Sequence, residues 1–171
     1  MAKAALLAGP HLACRPGCTE CCIGPFSITE LDAHRLRRGL RELKRADPPR
    51  AARVAERAAR AAAAMQPFAG EKEDGLAVRF AGLACPALDP AGGTCDLYAW
   101  RPISCRTFGP PVRFGVDAPP PCRLCFTEAA AAEVERCRVE VDPEGLEEAL
   151  LEEIGGPATL VAFALASGEP S

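Results

Sequence analysis

The chain has 171 residues, 49% of them hydrophobic but only 5% aromatic, with a formal net charge of −3 and ten cysteines. That length suits one domain with a continuous core, yet a core of Ala, Leu and Val buries less area per side chain than one built on aromatics. No stretch approaches the ~18 apolar residues that span a bilayer, and the run from Ala4 to Ala8 is too short for the core of an export signal.

A chain kept in a reducing compartment rarely carries structural disulfides. The protein is therefore expected in the cytoplasm, with its cysteines as thiolate ligands. Charge is unevenly spread. Between Leu31 and Arg60 ten bases face four acids, and from Thr127 to Ile154 glutamates dominate. The two regions can attract each other, or the basic one can meet an external polyanion.

From His11 to Pro25 the breakers Pro16, Gly17, Gly24 and Pro25 predict a loop. Thr29-Glu30-Leu31-Asp32 is a helix start, a cap followed by acids, and the helix runs to about Arg45. Asp47-Pro48-Pro49 ends it and caps a second helix to about Gln66. That helix is nearly all Ala and Arg, with Arg50, Arg53, Arg57 and Arg60 on one face. The face reads as solvated charge, and as a polyanion contact in a minor alternative.

Leu76 to Phe80 alternates weakly and predicts a short strand. Cys85 to Cys95 predicts a loop or hairpin that turns at Asp89-Pro90-Ala91-Gly92-Gly93, and Arg101-Pro102 predicts a new helical turn. Phe108 to Pro121 should be irregular. Thr127 to Arg136 reads as helix, Arg138 to Val141 as a short strand and Pro143 to Ile154 as an acidic helix. Leu160 to Ala166 is apolar but brief, and the tail fades into Ser-Gly-Glu-Pro-Ser. The expected fold is small and mainly α, with a short β-hairpin and cysteine-rich loops, an irregular metal-stabilised single domain over residues 1–171. Its cysteine-cluster module covers about 11–126, followed by an acidic helical extension at about 127–171.

Chemistry concentrates in the cysteines. Cys14, Cys18, Cys21 and Cys22 fall within nine residues, and the sharp turn at Pro16-Gly17 allows their thiolates to converge. The gap from Cys18 to Cys21 is a spacing found at zinc and iron–sulfur sites. Adjacent Cys21 and Cys22 should diverge, one ligating and the other serving a second metal, a cluster edge or the core. The spacing also matches the cluster motif of radical S-adenosylmethionine enzymes, but no strand precedes it and Ala/Arg helices follow, so that reading is rejected. A second group, Cys85, Cys95 and Cys105, has intervals suited to struts around a preformed site. Arg101 and Arg106 beside it either offset thiolate charge or are ordinary surface or cap arginines. Tyr98 and Trp100 read as core or lid. Cys122 and Cys125 form a knuckle or add ligands to the same site, while Cys137 is core or ligand.

Cys18-x2-Cys21-Cys22, Thr29-Glu30-Leu31-Asp32, Cys85-Pro86-Ala87-Leu88 and Cys95-Asp96-Leu97-Tyr98-x2-Arg101-Pro102-x2-Cys105-Arg106-x-Phe108 together resemble the YkgJ-type CxxCxxCC cysteine-cluster family. The resemblance covers roughly Cys14 to Pro110. It implies a zinc- or iron-chelating domain, and a related module occurs in flagellin lysine methylases. One departure is Cys14-x3-Cys18, where the family has two intervening residues.

Candidate metal ligands are thus Cys14, Cys18, Cys21, Cys22, Cys85, Cys95, Cys105, Cys122 and Cys125. With only His11 and His34 as imidazoles, an all-sulfur set suits iron–sulfur or zinc and argues against magnesium, calcium or copper(II). An iron–sulfur cluster or iron is preferred, with zinc as the alternative. The expected role is a metal-holding module in metal handling or electron transfer. Alternatives are a metal-dependent redox or methyl-transfer-associated enzyme and a zinc-stabilised interaction domain. No nucleotide loop, triad or paired-carboxylate motif favours an enzyme. A protein partner could meet the basic helix face or the acidic C-terminal helix; nucleic acid and membrane are not expected.

Overall fold

The two long helices form where their caps and apolar spacing dictate. In the computed structural model, which describes residues 2–167, α2 spans Glu30–Ala46 after the short N-terminal α1 (Ala2–Ala8). Thr29 Oγ1 accepts from the backbone N–H of Asp32 at 3.2 Å, which satisfies one of the free donors at the start of α2. Asp47 ends α2 and caps α3 (Pro48–Met65) by accepting from Arg50 N–H. Both boundaries fall within a residue of those read from the sequence.

The core is thin because it is built on alanine. Ala33, Leu36, Val54, Ala58 and Ala164 are buried together where α2, α3 and the C-terminal helix α8 (Val161–Ala166) meet. Small side chains allow such helices to approach closely. The brief apolar segment at the end of the chain is thus central. Its strand β6 (Thr159–Leu160) pairs antiparallel with β1 (Ser27–Ile28), which ties it to the start of α2. Gly39 allows the closest approach: a Cβ there would lie 2.6 Å from Trp100 Cβ.

The hairpin forms as the turn residues predict. Strands β2 (Leu88–Asp89) and β3 (Thr94–Cys95) pair antiparallel, and Gly93 adopts φ +60 in the turn. Strands so short do not stand alone, and this hairpin is held from outside. Arg50 and Arg57 of α3 both donate to the Asp96 carboxylate, and Arg57 Nε donates to Pro86 O at 2.8 Å. The Arg face of α3 is therefore partly an internal clamp and not simply solvated charge.

Leu76 to Phe80 is not a strand. It belongs to α4 (Glu73–Arg79), and Leu76 is buried against Met65 and Leu160. One inward residue in a short segment is compatible with either period, and tertiary packing chose the helix. The helix α5 (Ile103–Thr107) begins just after Pro102, and buried Asp32 accepts the Ile103 N–H with both carboxylate oxygens, at 3.1 and 2.9 Å.

Beyond it, β4 (Val112–Arg113) runs parallel to β5 (Val139–Glu140), an element within a segment expected to be irregular. Helix α6 (Ala131–Arg136) starts later than Thr127, and α7 (Leu146–Ile154) is capped by Asp142, whose carboxylate accepts from Leu146 and Glu147. Acidic α7 lies against basic α2. The architecture is mainly α, with three two-stranded sheets among the described residues. The tail at 168–171 lies outside the described residues.

Candidate metal centre

The first group of sulfurs is assembled by backbone hydrogen bonds between segments distant in sequence. Gly17, at φ +88, turns the chain so that Cys18 N–H donates to Arg15 O. A 3-10 turn over Glu20–Cys22 follows. Cys85 N–H then donates to Cys22 O at 2.7 Å, and Gly24 N–H to Leu83 O at 2.7 Å, which fixes the turn beside the hairpin. Cys95 lies opposite Leu88 in that hairpin, and α5 brings Cys105.

The 3-10 turn keeps Cys21 and Cys22 on one side, their Sγ atoms 3.9 Å apart, so the adjacent thiols do not diverge as the sequence led one to expect. Each of Cys22 and Cys105 feels the charge of Cys21, Cys85 and Cys95. Five sulfurs from three elements therefore share one neighbourhood.

Burial raises the thiols of Cys85 and Cys105 to about 12 and also raises Cys95. Cys22 is raised first by its hydrogen bond to Cys21 and then by burial. Cys21 is lowered: it receives that hydrogen bond, and Arg101 stands near enough to favour its thiolate. Backbone N–H groups are directed at several sulfurs, from Ala87 and Leu88 to Cys85 and from Leu97 to Cys95. Such donors stabilise negative sulfur and tune a bound metal.

Arg101 also extends its positive field to Cys95 and Cys105. Its Nε is buried without a hydrogen-bond partner, as is Ser104 Oγ, and these are the two such side-chain atoms among the described residues. Two orphaned polar atoms, one flanking Cys105 and one in electrostatic reach of it, fit a centre that carries negative sulfur.

The second group lies beside the first. Cys125 N–H donates to Cys122 O at 2.7 Å, and Leu124 N–H is directed at the Cys122 sulfur. Ala13 N–H donates to Cys125 Sγ at 3.4 Å, and Phe126 N–H to His11 O, so the N-terminal loop is laid along this knuckle. Cys14 reaches Cys125 as well: burial first, then Cys125, raises its thiol to about 11, with smaller contributions from Cys18 and Cys21.

Gly109 is required here, since a Cβ would lie 2.5 Å from Cys14 Sγ and 3.9 Å from Cys125 Sγ. The two groups adjoin through Cys14, which feels Cys125 most and Cys18 and Cys21 less. Cys137 packs against the cluster that contains Cys122 and Cys125, and its S–H donates to Leu7 O at 3.2 Å, which holds α1. His11 lies beside this knuckle, stacked on Phe126 and paired with Glu133, whereas His34 pairs with Glu30 on α2.

Among the described residues, no three Cys, His, Asp or Glu side chains close to metal-ligand geometry. Cysteine has a single heavy-atom torsion, so each sulfur repositions by rotation about one bond.

Residues 13–123 match the family model described as "CxxCxxCC: Putative zinc- or iron-chelating domain". The chain belongs to the CxxCxxCC family. No curated protein and no solved structure matches it. A zinc- or iron-chelating function is what the family provides, and nine of this chain's ten cysteines fall within or just beyond the matched residues. Its N-terminal motif is divided: Cys14 faces the Cys122–Cys125 knuckle, whereas Cys21 and Cys22 face the hairpin and α5. The three-residue gap after Cys14 spans the turn at Gly17. Asp96, the anchor of the hairpin, was not marked by the sequence as functional; its position directly after Cys95 is the only signal.

Proposed function

We propose that this protein is a metal-holding module. Cys21, Cys22, Cys85, Cys95 and Cys105 hold the main centre, and Cys14, Cys18, Cys122 and Cys125 form a second thiolate site. The reading is carried by five sulfurs arriving from three elements beside Arg101 Nε and Ser104 Oγ, two buried polar atoms that lack protein partners. Nine thiols exceed the needs of one tetrahedral zinc, and an all-sulfur set suits iron–sulfur or zinc. We favour an iron–sulfur cluster or iron, with zinc as the alternative, and a role in metal handling or electron transfer. All ten cysteines are free, which suits a reducing compartment, and we place the protein in the cytoplasm.

Protein purified without oxygen, with elemental analysis, acid-labile sulfide and a visible spectrum, tests this. Iron with sulfide and a brown colour supports the cluster, whereas colourless protein with stoichiometric zinc replaces it with zinc-thiolate sites. Cys21→Ser, Cys95→Ser and Cys105→Ser should each lower bound metal at the main centre. Cys125→Ser should lower only the remainder. Metal-free protein, or full metal content in all four variants, overturns the assignment.

A further inference from the structure

Arg101 also lines an open cleft of about 570 Å³ between α2, the turn at Tyr98–Trp100 and α5. Five arginines line it, Arg35, Arg38, Arg41, Arg101 and Arg106, against two carboxylates, Asp32 and Glu147. Asp32 is already committed, because both its oxygens accept from Ile103 N–H. Among the described residues, Arg35, Arg38, Arg101 and Arg106 form no salt bridge, although ten other arginines of the chain do.

The four are instead positioned by neutral groups. Arg35 and Arg106 donate to Ala99 O, Arg106 Nε donates to Arg101 O, and Arg101 lies 3.8 Å from the Tyr98 ring centre. Arg38 lies 5.2 Å from the ring centre of Trp100, which forms one wall.

Guanidinium groups gathered in this way repel one another, and the cost is offset when an anion enters. Arginine is suited to that task, since its planar fork matches carboxylate and phosphate oxygens bidentately. The cleft is in the size range of small-molecule sites. An extended polyanion would call for a basic surface continuing outward, but Arg45 further along α2 pairs with Glu42, and on α3 Arg50 and Arg57 pair with Asp96 and Arg60 with Glu56.

We propose that this cleft binds a small oxyanion, a carboxylate or phosphate compound, with Arg35 and Arg38 gripping its charged end and Trp100 covering its side. The site shares Arg101 with the surroundings of the thiolates but includes none of their sulfurs, and its test does not depend on which metal they hold.

Trp100 is the only tryptophan, so its fluorescence reports on the cleft. Metal-loaded protein is titrated with inorganic phosphate and, separately, with succinate. Both chelate weakly, and each titration is matched in ionic strength with chloride. A saturable fluorescence change with phosphate, succinate or both, absent with chloride, is expected, and the responding anion names the source. The double variant Arg35→Gln/Arg38→Gln should weaken it at least about tenfold, equivalent to about 1.4 kcal/mol.

Both positions are exposed on α2, where substitutions rarely unfold a protein, and a circular-dichroism melt verifies the variant. Arg60→Gln, on the exposed face of α3, should bind as the parent does. No saturable change with either anion, unaltered binding in the double variant, or an equal loss in Arg60→Gln overturns the proposal.

Discussion

Asp96 carries two arginines on a side chain that is only 3% exposed, and it does so one residue after Cys95. Removing its charge leaves Arg57, itself largely buried, without its partner, while Arg50 can still turn to water. Breaking a buried pair from one side costs ~3–5 kcal/mol, and the exposure of Arg50 argues for the lower end. Asp96→Asn should therefore destabilise the protein by about 3 kcal/mol in a urea melt. An unchanged midpoint would show that the hairpin is held by other contacts. At the same scale, Gly109 and Gly39 are needed because a sulfur and an indole occupy the place of their missing side chains. The cysteines were legible one by one, as the residue types that hold soft metals. Which of them become neighbours in the fold was not, because spacing along the chain does not say which loops meet.

The helices show how far local sequence reaches. Thr29 and Asp47 were recognisable caps, and both accept the backbone N–H three residues on. Thr29→Ala removes such an acceptor from the start of α2 and should cost about 1 kcal/mol, readable as a shift in the denaturation midpoint; no shift would mean that packing of α2 against α3 and α8 alone fixes this end. Short segments were harder. Leu76 to Phe80 has too few residues to separate a helical from a strand period, and the contact of Leu76 with Met65 decided the matter. Strand β4 was invisible among prolines because its partner β5 lies 27 residues ahead, and only the folded chain brings Val112 to Val139.

At the level of the whole molecule, an alanine core and two-residue strands leave little to hold the cysteine loops in place. Cross-connections supply part of this, with Cys22 bonded to Cys85, Ala13 to Cys125 and Arg123 to Glu20 at 2.9 and 3.0 Å. Metal–thiolate bonds would supply the rest, since metal binding by such loops is also folding energy. Chelation under reducing conditions should lower the melting temperature by more than about 10 °C. Equal melting of chelated and metal-loaded protein would place the stability in the helices alone. The charge asymmetry also finds its outlet at this scale: acidic α7 rests on basic α2, yet only Glu147 of α7 lines the arginine cleft, which keeps an excess of positive charge.

Residue types and local spacing alone determined that this chain is mainly helical, where its long helices begin and end, that a hairpin turns between Cys85 and Cys95, and that its cysteines cluster along the chain at spacings suited to soft metals. These follow from interactions spanning a few residues: caps, turns, apolar periods and the softness of sulfur. Tertiary structure decided which cysteines assemble with which, that α8 completes the core, that the arginines of α3 clamp Asp96 and that those of α2 gather around Trp100. Each of these depends on contacts between segments tens of residues apart, where packing and charge compensation, rather than local preference, select the partner.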